Sequence, residues 1–125
     1  MTHLKSSEAR TFHMHGVSFH SYAASASGAS RLAGWRVEFE PHVPGQAHTM
    51  TEEEVLYVLS GELDVEVGAD RFTARAGDAI LVPAGAGFRV SNTTDRPSQA
   101  WATSLIGMRA VMLPGEQEIA PPWAG

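Results

Sequence analysis

Apolar and polar positions alternate along nearly the whole chain, and no stretch sustains the three-to-four-residue period of an amphipathic helix. The clearest run is Glu62-Leu63-Asp64-Val65-Glu66-Val67. It sets Leu63, Val65 and Val67 on one face and three acids on the other, as in a half-buried strand. Comparable short runs cover residues 17–23, 35–40, 55–59, 72–75, 79–82, 88–91, 101–106 and 110–113, with Gly and Pro between them, as at Pro44-Gly45, Gly77-Asp78 and Pro83. Short strands at this spacing predict an all-β antiparallel sandwich or barrel. The small-residue stretch 23–30 reads as a loop, residues 1–10 as a loose polar end, and residues 114–125 as an irregular tail anchored by Trp123.

The 125 residues suit one domain, residues 1–125, with a single core. Fourteen Asp and Glu against nine Lys and Arg leave a net charge of −5, the wrong sign for holding phosphate backbones or anionic lipid, so neither nucleic acid nor membrane is an expected partner. With no cysteine, thiolate metal sites, disulfides and Cys nucleophiles drop out, and any metal must sit on His, carboxylate or backbone oxygen. No apolar stretch has the length of a signal peptide or membrane helix, which makes the cytoplasm the expected location. Phosphate-binding glycine fingerprints, a Walker loop and a nucleophile elbow are likewise missing from the sequence.

Two segments hold most of the chemistry. In the first, His48 and Met50 share one side of an extended strand. After a short link Glu54 enters the next strand facing the same way, inward by its alternation with Leu56 and Val58. Glu52 and Glu53 read as a solvated turn. The second segment, residues 77–92, has glycines and a proline placed for strand, tight turn and returning strand.

Together these segments resemble the two diagnostic motifs of the cupin superfamily. The family's first motif is His-x-His, three or four residues, Glu, six residues, Gly; His48, Glu54 and Gly61 stand at its positions, and Met50 replaces the second His. The second is Gly, five residues, Pro-x-Gly, two residues, His, three residues, Asn; Gly77, Pro83, Gly85 and Asn92 match it, and Phe88 replaces the His. The resemblance implies a cupin-like double-stranded β-helix, or jelly-roll, barrel. It also implies a divalent transition metal held by three imidazoles and a carboxylate, of which only His48 and Glu54 survive as a remnant metal site. A thioether such as Met50 is a soft ligand, and Phe88 offers no lone pair.

The expected function is binding of a small organic ligand in the barrel, with Met50, Leu56, Phe88 and either Trp35 or Trp101 as apolar walls. A metal-independent isomerase, epimerase or cyclase would use His48 and Glu54 as catalytic base and acid, and these two are expected to titrate together. Two alternatives stand beside it: a noncatalytic sensor or carrier, and a metal oxygenase with a rearranged ligand set that recruits His15, His20 or His42. His13 pairs with His15 near the terminus, where a solvent-facing place is the usual one. Val55, Tyr57 and Leu59, apolar on the face opposite Glu54, predict a homodimer, with the N-terminal strand or the Trp123 tail as candidate covering segments.

Overall fold

A computed structural model describes residues 2–125. Its strands are β1 (Arg10–Met14), β2 (Val17–Ala23), β3 (Leu32–Phe39), β4 (His48–Met50), β5 (Glu54–Ser60), β6 (Glu62–Val67), β7 (Asp70–Arg75), β8 (Ala79–Val82), β9 (Phe88–Ser91), β10 (Ser98–Leu105), β11 (Ala110–Met112) and β12 (Gln117–Ile119). They form two six-stranded sheets, ordered β1-β2-β3-β10-β5-β8 and β12-β11-β4-β9-β6-β7, and every recorded pairing is antiparallel. The sheets pack face to face as a jelly roll. Inward positions at every second residue supply the core: Trp35, Val37 and Phe39 from β3, Leu56 and Val58 from β5, Ile80 and Val82 from β8, and Leu63 and Val65 from β6.

Close backbone approaches hold the loops around one end of the barrel. A Cβ on Gly45 would lie 2.0 Å from the Val90 carbonyl oxygen, so only glycine lets the segment before β4 press against β9. Asn92, fully buried, ties that region together: its side-chain amide donates to the carbonyls of Phe39, Glu40 and Arg96, and its Oδ1 accepts from the backbone and hydroxyl of Thr94. The β8–β9 turn docks through the Gly85 N–H on the Met50 carbonyl, 2.8 Å away, and so fixes the end of β4.

The ends are more ordered than their composition implies. Residues 2–9 do stay outside the sheets, with one 3₁₀ turn at Ser6–Glu8, but Arg10 already belongs to β1; Met1 lies outside the described residues. The tail expected to be irregular forms β12 on β11, then a 3₁₀ turn, Pro122–Ala124. Trp123 is buried in its own barrel, stacked on Phe19 with ring centroids 3.6 Å apart, and its carbonyl accepts the Ser21 hydroxyl.

Candidate functional site

Between the sheets lies a cavity of about 540 Å³. Its two walls come from different sheets. The first sheet presents Trp35, Val37 and Phe39 from β3 and Glu54 and Leu56 from β5; the second presents His48 and Met50 from β4 and Phe88 from β9. His48 and Phe88 are register partners, their rings tilted 59° with centroids 5.4 Å apart. Five of the residues expected at the site, His48, Met50, Glu54, Leu56 and Phe88, therefore meet at one space, and Trp35 joins them.

Trp101 does not. On β10 the small residues Ser98, Ala100, Ala102 and Ser104 point inward, which turns Trp101 to the outer face. There it packs over Gly34, where a Cβ would come within 2.8 Å of its ring, and lies tilted against Tyr22. The choice between Trp35 and Trp101 thus falls to Trp35.

Glu54 is 6% exposed and accepts no hydrogen bond from the described residues. Burial alone pushes its carboxyl up to about 8, so it carries a proton at neutral pH. His48 is lowered from its ordinary value, chiefly by burial and against the opposing effect of its bond to the Gln46 carbonyl. That bond, 2.9 Å from Nδ1, sets the tautomer: a carbonyl only accepts, so Nδ1 holds the proton and Nε2 keeps the free lone pair.

A linked His48–Glu54 titration has no direct bond to carry it: no hydrogen bond or ion pair joins the two among the described residues, and burial is the leading cause of each shift. β4 and β5 belong to opposite sheets, and the two side chains face the cavity from its two walls.

The remaining histidines divide. His15 occupies the β1–β2 turn at φ 51° and lies at the cavity rim. His13 and His20 alternate outward, bonded to Ser18 and Thr11, and His42 sits in an exposed loop. A ligand set recruiting His20 or His42 is therefore not formed. Tested against three imidazoles and a carboxylate, the donors do not fit. Only His48 and Glu54 are suitable donors, because Met50 and Phe88 occupy the other two places, and among the described residues no group of three His, Asp or Glu is placed to hold a metal.

Phe19, Met108, Met112 and Trp123 also line the cavity. Phe19 and Met112 fall in the alternating runs 17–23 and 110–113, whereas Met108 and Trp123 lie outside the strands, without a period to read.

Comparison with known proteins agrees with this geometry. The cupin domain family model matches residues 35–103, more than half of the chain, and the protein belongs to that family. Its barrel is similar to an RmlC-like cupin from Shewanella frigidimarina (17% identity, TM-score 0.72, covering 84% of this chain and 90% of that one). It is also similar to the polyketide cyclase RemF from Streptomyces resistomycificus (17%, 0.75, 93% and 89%). A sugar phosphate isomerase of the cupin superfamily from Silicibacter pomeroyi shares 20% identity at a TM-score of 0.73, with 88% and 80% covered. No curated protein matches the sequence. No helix is long and apolar enough to cross a membrane among the described residues.

Proposed function

We propose that this cupin binds a small organic molecule between its two walls and moves a proton on it without a metal, as an isomerase, epimerase or cyclase does. The observation that carries the reading is the buried, unpartnered Glu54 carboxyl on one wall facing the lone pair of His48 on the other. With a carbonyl compound between them, His48 Nε2 takes a proton from the carbon beside the carbonyl as Glu54 gives its proton to the carbonyl oxygen. An enol, an imidazolium and a carboxylate result. Return of the protons, with the carbon reprotonated from the other face or at another position, restores both residues and leaves the isomer. Burial has set both protonation states for this direction. His48 is a free base above its lowered value, and Glu54 is an acid below about 8, so the rate should be highest between the two. The same barrel serves proteins described as a polyketide cyclase and a sugar phosphate isomerase, and both kinds of reaction turn on relocating protons.

The test is exchange of the α-protons of 2-tetralone, a neutral enolisable ketone, in D₂O, followed by proton NMR. Exchange should exceed that in an equal concentration of free imidazole by on the order of 100-fold, the usual share of positioned acid–base groups. His48→Gln should abolish the gain and Glu54→Gln should reduce it. A wild-type rate equal to free imidazole's would refute the reaction. Binding of the ketone with no exchange would favour the second reading, a noncatalytic carrier, which the apolar Met50 and Phe88 at the cavity's centre support.

A further inference from the structure

The cavity's charge inventory narrows what it accepts. None of the nine Lys and Arg lines it among the described residues. Three arginines stand between lining residues, and none of them lines the cavity: Arg36, beside Trp35, turns to the outer face of β3 and is bonded there to Glu38 and Gln99. Arg89, next to Phe88, pairs with Glu66, and Arg109, next to Met108, pairs with Glu118. A phosphate or carboxylate placed between the walls would lose its water and meet no cation. Its only titratable neighbours from any wall are Glu54, His48 and, at the rim, His15.

The walls themselves favour a flat ring system. Trp35, Phe39 and Phe88 offer aromatic surfaces beside the polar pair, and the Phe19–Trp123 stack adds another to the lining. Flexible, polarisable methionines such as Met50 fill the space between them. The volume of about 540 Å³ lies within the range of pockets that enclose compounds of a few fused rings. Besides the exposed Gln46 and His15, the walls offer such a compound two polar side chains. A carboxylic acid on one wall donates to an oxygen, and the unprotonated Nε2 on the other accepts from a hydroxyl or an acidic C–H.

We infer that the cavity selects an uncharged, flat, largely apolar ring compound carrying a carbonyl and an adjacent hydroxyl or enolisable carbon, and rejects phosphorylated and carboxylate substrates. This rests on the cavity being the binding site proposed above. It sets the chain's ligand class apart from that named for the sugar phosphate isomerase with the same barrel.

The test holds the ring constant and changes only the polar group. 2-Naphthol, 2-naphthoate and 2-naphthyl phosphate, with glucose 6-phosphate beside them, are titrated into wild-type protein at pH 7 by calorimetry, and tryptophan emission reports contact with Trp35 and Trp123. 2-Naphthol should bind, with NOEs from its ring protons to the methyls of Met50 and Leu56. Both naphthyl anions should bind more weakly by on the order of 100-fold, the factor expected for desolvating a charge without a partner. Glucose 6-phosphate should not bind. Anions binding as tightly as 2-naphthol, or glucose 6-phosphate binding at all, would overturn the ligand class while leaving the cavity as a site. Failure of all four to bind, or NOEs to outer-face residues only, would overturn the site and the ligand class together.

Discussion

Replacing Glu54 by Gln tests the central electrostatic claim through stability alone, with no ligand needed. The amide keeps the shape of the carboxylic acid and never ionises. In the unfolded chain Glu54 loses its proton near the ordinary 4.5, and in the barrel near 8, so between those values the folded state binds more protons than the unfolded one. Stability must then fall as pH rises through that window, by about 1.4 kcal/mol per pH unit. From pH 4.5 to 7 the loss attributable to this residue is about 3 kcal/mol, and across the full window about 5 kcal/mol, an upper bound because water entering the cavity would solvate the carboxylate. In the Gln variant this slope is gone. Its urea-unfolding free energy should match wild type within about 1 kcal/mol at pH 4.5, and exceed it by about 3 kcal/mol at pH 7 and by more at pH 8.5. The difference between the two curves cancels every other titrating group. Parallel curves would refute the reasoning, since they would mean that Glu54 ionises in the barrel as readily as in the open chain.

Three further outcomes follow from particular contacts. Asn92→Ala removes the donor shared by the Phe39, Glu40 and Arg96 carbonyls and should cost about 3 kcal/mol in urea unfolding; a loss under about 1 kcal/mol would show that the clamp does not hold the loops. Met50→His with Phe88→His adds two imidazoles beside His48 and opposite Glu54, and after chelator treatment the double variant should bind Ni(II) or Zn(II) orders of magnitude more tightly than wild type by calorimetry. Tight stoichiometric metal in the wild type would contradict the reading of the donor set, and no gain in the double variant would show that the four side chains do not converge. On the outer face, Val55, Tyr57, Leu59 and Leu81 remain exposed, Leu81 at 59%, with Val55 and Leu81 as register partners, which predicts a homodimer through the β5–β8 edge. Light scattering at micromolar concentration should give a dimer that Leu81→Lys dissociates; a wild-type monomer would reject it.

Alternation alone was enough to place most strands, because a strand with one buried face writes its burial into every second residue. β2, β6, β8 and β9 fall where the period predicts, and Glu54 is inward as its spacing from Leu56 and Val58 requires. The turn positions Gly77, Pro83 and Gly85 were equally legible, since they answer to local backbone geometry, whereas Asn92 was legible only through the family motif, its bonds reaching Phe39 and Glu40 on a distant segment. The sequence did not reveal β12, a three-residue strand whose regularity comes from pairing with β11, or the burial of Trp123, which depends on Phe19 a hundred residues away. Nor could it separate Trp35 from Trp101. Both lie in alternating strands, and which face turns inward is set by small inward residues on β10 and by the space above Gly34, a feature of the neighbouring strand. The same holds for the acid and base. Their identities are local, but their placement, with Glu54 on one wall and His48 on the other, exists only once two sheets have closed around a cavity and buried both groups, which moves their proton affinities from the ordinary values.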